Sequence, residues 1–162
     1  MNAYGAAERR SPAFSESGMV VQPVHSGPQS FTLKCSGRRP VHFEGSELCM
    51  AMSYVPGAAF WYEVNIYRTV ADGFVLYIRM FSKSEDEPDL HRVLECAGFE
   101  EVVSLLEEYE AANDVRIDVL ADDHSIPLPD LVVRAMGLRA RIEDARRQFG
   151  ALVGQILFDL EV

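Results

Sequence analysis

The chain has 162 residues, with 25 acidic against 15 basic side chains, a formal net charge of −10 and three cysteines. That length suits one domain with a core of its own, and a field of that sign disfavours nucleic acid and anionic lipid as partners unless the cations are segregated. No apolar run approaches the ~20 residues of a membrane span. The opening MNAYGAAERRSPAF lacks the apolar stretch of a signal peptide. Cys35, Cys49 and Cys96 show no CxxC spacing, which argues against a disulfide framework and a structural zinc, so a reducing cytoplasmic location is expected.

Residues 1–29 are rich in Ser, Pro, Gly and Ala and show neither a helical nor a strand period, which predicts a mobile arm. An α+β domain is expected over 30–127, followed by a C-terminal helix over 128–162. SFTLKC at Ser30 to Cys35 alternates as a short strand. From Glu47 to Val55 the alternation sets Leu48, Met50, Met52 and Tyr54 on one face and Glu47, Cys49, Ala51 and Ser53 on the other.

Two aromatic and β-branched runs flank Ala71-Asp72-Gly73 and predict a hairpin. A two-residue Asp72-Gly73 loop would put Ile66 opposite Arg79, mixing apolar and charged positions on one face. A three-residue loop with Gly73 in the left-handed bulge position instead pairs Ile66 with Ile78 and Val64 with Met80. The second face then carries Trp61, Tyr67, Tyr77, Phe81, Arg79 and Lys83. Such a surface either stacks flat ligands, peptides or bases, with cation–π support, or is covered by another element and forms core. The candidate binding residues are Trp61, Tyr67, Tyr77, Arg79 and Lys83.

Leu90 to Cys96 reads as a further strand. Phe99 to Tyr109 reads as an amphipathic helix that Asn113-Asp114 ends, and Val115 to Val119 as a final strand. An antiparallel β-meander of four to five strands with one packed helix and a long C-terminal helix follows from these elements.

In that last helix Leu128, Leu131, Ala135, Leu138, Ile142, Ala145, Phe149, Leu152 and Ile156 alternate at three and four, a 3.5-residue seam. Arg134, Arg139, Arg141 and Arg146 flank it. The seam pairs with a second copy or a partner helix, or it packs on the domain's own sheet. A helix reaching from Leu128 to Val162 would be ~52 Å long, more than the ~40 Å diameter of such a domain. It is therefore expected to be the association element, with Leu131, Leu138, Ile142, Phe149, Leu152, Ile156, Arg139 and Arg146 at the interface.

Signals of chemistry are sparse. The four histidines have no ligand spacing, and the best metal candidate, Asp118, Asp122, Asp123 and His124, lacks a matched second cluster. No GxSxG, phosphate loop or dinucleotide fingerprint occurs, and no cofactor is expected. A non-catalytic binding or assembly protein that acts through protein contacts is the leading expectation. A ligand-binding protein or enzyme using the aromatic hairpin face, with Cys49 or His91, is the alternative.

Overall fold

The structure, a computed structural model, describes residues 27–117 and 125–161. Five strands form one antiparallel meander in the order β1-β2-β3-β4-β5: β1 Gln29–Leu33, β2 Val41–Met52, β3 Phe60–Thr69, β4 Phe74–Ser82 and β5 Leu90–Cys96. Helix α1 (Phe99–Glu108), a 3-10 turn at Ala111–Asp114 and the 32-residue α2 (Leu128–Asp159) complete the fold. The expected α+β meander is therefore the observed architecture. The expected arm at 1–29 lies outside the described residues except at its end, where Gln29 already belongs to β1. The metal candidate at Asp118, Asp122, Asp123 and His124 lies wholly outside them.

The hairpin between β3 and β4 closes one residue earlier than expected. Asp72 N–H donates to the Thr69 carbonyl at 3.2 Å, Thr69 N–H donates to the Gly73 carbonyl at 2.9 Å, and Asp72 takes the left-handed conformation at φ 62. An aspartate tolerates that region nearly as well as any residue but glycine. Ile66 therefore pairs with Leu76, and Val64 with Ile78. With both ends of the loop moved back by one, each residue's partner shifts by two, so every side chain keeps its expected face. Ile66 and Ile78 are buried in the core under the helices, and Asn65 and Arg79 point to the opposite side.

In β2 the ladder shifts between Glu47 and Cys49. The extra residue, Leu48, reverses the alternation before it: Cys49 and Ala51 face the helices, and Glu47 joins Met50 and Met52 on the outer face, opposite to the expected grouping. Close approach of strands is strict nearby. A Cβ on Gly45 would lie 2.2 Å from the Arg68 carbonyl oxygen, so only glycine fits.

Two apolar clusters result. The larger lies between the sheet and the helices and contains Tyr62, Val64, Ile66, Leu76 and Ile78 from the strands with Val102, Leu106, Phe149, Leu152 and Ile156 from the helices. The smaller lies on the outer face, where Tyr67, Val75, Tyr77 and Val93 meet Leu33 and Cys35. The sheet curls enough for its two edges to touch, because Ser36 N–H donates to the His91 carbonyl at 2.8 Å and Arg38 donates to the Val93 carbonyl at 3.2 Å. The expected final strand is absent over Val115–Ile117, and Val115 instead buries into the main core. Among the described residues no helix is long and apolar enough to cross a membrane.

Candidate functional site

The outer hairpin face divides into a closed part and an open part. Tyr67 and Tyr77, expected as stacking residues, are buried in the smaller cluster, and the rings of Phe31 and Phe43 lie 4.7 and 5.4 Å from that of Tyr67. They serve as core, because the curl of β1 and the start of β2 covers them. Burial pushes the Tyr67 hydroxyl well above its usual range. His91, also buried, meets the Tyr77 hydroxyl through Nδ1 at 2.7 Å, and burial holds its pKa below the ordinary histidine value, with Lys34 and Arg79 adding to the effect.

The open part is centred on Trp61. Its ring stacks on Phe81 at 5.6 Å and meets the edge of Tyr54 at 5.0 Å, with Met50 and Met52 half-buried on the same side. Arg79 is bracketed by the Tyr77 and Phe81 rings and pairs across the strands with Glu63, while Asn65 donates to Glu47 at 2.6 Å. Lys83 is exposed at the end of this surface. Trp61, Arg79 and Lys83 are thus brought to one open face, without Tyr67 and Tyr77.

Cys35, Cys49 and Cys96 are free and buried. Burial raises the Cys49 thiol to about 11, so at neutral pH it is protonated and a poor nucleophile. Among the described residues no group of three or more His, Cys, Asp or Glu is placed to hold a metal ion.

The sequence reading missed the role of Asp114. Its buried carboxylate accepts from Tyr62 at 3.0 Å, from Tyr109 at 2.8 Å and from Arg92 Nε at 2.9 Å. Every oxygen is occupied by a donor of this chain, which ties β3, β5 and the end of α1 to one point. A single acidic residue beside Asn reads as a helix stop, and two of its three partners, Tyr62 and Arg92, are too distant in sequence to signal the cluster.

Helix α2 changes character along its length. Ala145, Phe149, Leu152, Val153 and Ile156 are buried in the main core, so Phe149, Leu152 and Ile156 pack on their own sheet in place of the expected contact between chains. Ile142, Leu138 and Leu131 are half-buried. The middle of the helix is pinned by polar contacts. Ser53 donates to Gln148 at 2.8 Å, Gln148 donates to the Phe60 carbonyl at 3.3 Å, and Arg141 pairs with Glu87 through a bond of 2.7 Å and a second, shorter one. Arg146 pairs with Glu110 on the surface.

Beyond Leu138 the helix overhangs. Eight large apolar residues are exposed among the described residues, and four lie in its first nine: Leu128 at 71%, Val132 at 49%, Val133 at 68% and Met136 at 67%. Arg139, expected at an interface, is exposed beside them and pairs within the helix with Glu143 at 3.0 Å. Between α2 and the end of α1 runs a groove of about 480 Å³, lined by Leu106, Val153 and Leu157, with Gly150 and Gly154 along one wall. Glu107, Glu110 and Arg146 also line it, the last two paired with each other. No known protein family, curated protein or solved structure is detectably similar to this chain.

Proposed function

We propose that the protein is a non-catalytic assembly module that self-associates through the N-terminal half of α2. The observation that carries this reading is the cluster of four exposed apolar side chains on one overhanging helix segment. Single exposed apolar residues are ordinary on a protein surface, whereas a contiguous set marks a contact surface. An isolated helical segment of this length is also marginal in water, so docking supplies what the sheet does not. Light scattering across a concentration series tests it. The expected result is a mass that rises from monomer to dimer for the native chain and stays monomeric for the double variant Val132→Ser, Met136→Ser, with an unchanged melting temperature. A native chain that remains monomeric at every concentration would remove the reading.

A second reading rests on the open hairpin face, where Trp61 meets Tyr54 and Phe81 and the Phe81 ring in turn packs on Arg79. Such a face suits a flat or extended apolar ligand. Trp61 is the single tryptophan, so its emission reports on occupancy directly. A Trp61 signal that shifts with ligand and disappears in Phe81→Ala would support this use of the face.

A further inference from the structure

The overhang and the groove lie on the same side of α2, at opposite ends. At ~100° per residue, Leu128, Val132, Ala135, Met136 and Arg139 share a helix face with Gly150, Val153, Gly154 and Leu157. The first set is exposed and rich in large side chains. The second lines a groove whose glycine positions are open, since a Cβ on Gly150 or Gly154 would meet nothing within 4 Å. Projection at one end and recess at the other, on one face of one helix, is the condition for a two-fold contact in which each end fills the other.

We infer that the occupant of the groove is a second copy of this chain, whose α2 lies antiparallel in it. This rests on the self-association proposed above and specifies its geometry. A two-fold axis level with Asp144 and Ala145 sets Val132 against the partner's Leu157 and Ala135 against the partner's Gly154. Glu143 then stands against the partner's Arg146, and the same pair recurs across the axis. Arg139 passes over the partner's Gly150, towards the carboxylate of Glu107. The contact is therefore complementary in charge as well as in shape: Arg139 pairs with Glu143 and Arg146 with Glu110 within each chain, and the register sets these opposite charges in alternation across the axis. From Val132 to Leu157 the paired helices run together for ~39 Å at 1.5 Å per residue. Both groove glycines allow the close approach of backbones that small residues permit between helices.

Mixed-disulfide trapping tests the register. The single variants Ala135→Cys and Gly154→Cys replace exposed positions, and the three native cysteines are buried. Under mild oxidation, an equimolar mixture of the two variants is expected to give the crosslinked heterodimer, and each variant alone little or none. In this register two copies of residue 135 are about 28 Å apart along the axis, far beyond the 4.4–6.8 Å between Cα atoms that a disulfide usually spans. Crosslinking of Ala135→Cys with itself would overturn the antiparallel arrangement and leave self-association standing. A dimer by light scattering with no crosslink in the mixture would also overturn it. A native chain that never dimerises removes both proposals. Filling the groove with Gly154→Leu gives a second reading of the same point: the expected product is a folded monomer, and a dimer of unchanged affinity would place the contact elsewhere.

Discussion

The two halves of α2 place their apolar residues differently: the second keeps them on the seam, and the first adds large ones beside it. From Ala145 to Ile156 the seam is sealed against the sheet, whereas in the first nine residues of the helix the seam's Leu131 is half-buried and three of the four large apolar side chains left in solvent, Val132, Val133 and Met136, stand beside the seam. A heptad seam states that a helix has a sticky face, and it does not state what lies opposite. What lies opposite changes near Leu138, which packs on the main core, while Leu128, Val132, Val133 and Met136 before it are exposed. The boundary is marked by polar anchors, with Arg141 held on Glu87 and packed 5.3 Å over the Phe60 ring.

Substitutions that remove the anchored half's support are expected to have the largest effects. Asp114→Ala strips a carboxylate from Tyr62, Tyr109 and Arg92 at once, and each buried donor left without its acceptor costs about 1–3 kcal/mol. Phe149→Ala is expected to cost about 3–5 kcal/mol, since its ring is buried against Tyr62 and Tyr109 at 5.3 and 4.6 Å. Denaturant unfolding measures both. A loss under about 1 kcal/mol for Phe149→Ala would mean that the C-terminal half is no better anchored than the overhang.

A smaller effect is expected at the boundary. The Arg141 guanidinium beside Glu87 holds that carboxyl below its ordinary 4.5. A depressed folded-state pKa contributes stability that is present above the ordinary value and lost as the pH falls through the folded one. Glu87→Gln should therefore melt below the native chain at neutral pH, with the gap closing as the pH drops beneath 4.5. A gap independent of pH would show that the pair does not act through its charge.

The smallest expected effect lies in the overhang. Val132→Ala and Met136→Ala should each leave the stability of the monomer within about 0.5 kcal/mol, and amides from Val132 to Met136 should exchange far faster than those from Ala145 to Ile156 in dilute solution. Raising the protein concentration should slow the first set and leave the second unchanged. Equal protection of both sets in dilute solution would erase the distinction between the halves.

The amino-acid sequence by itself determined the meander, the faces of the β3–β4 hairpin and the long amphipathic helix. These follow from local periods of two and of three to four, which the backbone imposes wherever the chain lies. It misplaced the left-handed residue of the turn by one, because Asp72 and Gly73 both suit that conformation; Gly73 instead pairs with Thr69 and lies close to the Cys96 carbonyl, 3.1 Å from an added Cβ. Its grouping of Glu47 with Cys49 failed at Leu48, since a bulge adds a residue without any composition to announce it. The tertiary structure alone decided that Tyr67 and Tyr77 are core while Trp61 and Arg79 are only half-buried, that Asp114 gathers four elements of the chain, and that the start of α2 exposes Leu128, Val132, Val133 and Met136. Each of these depends on contacts between segments far apart in sequence and on the curl of one sheet, and a pattern of nearest neighbours carries no record of either.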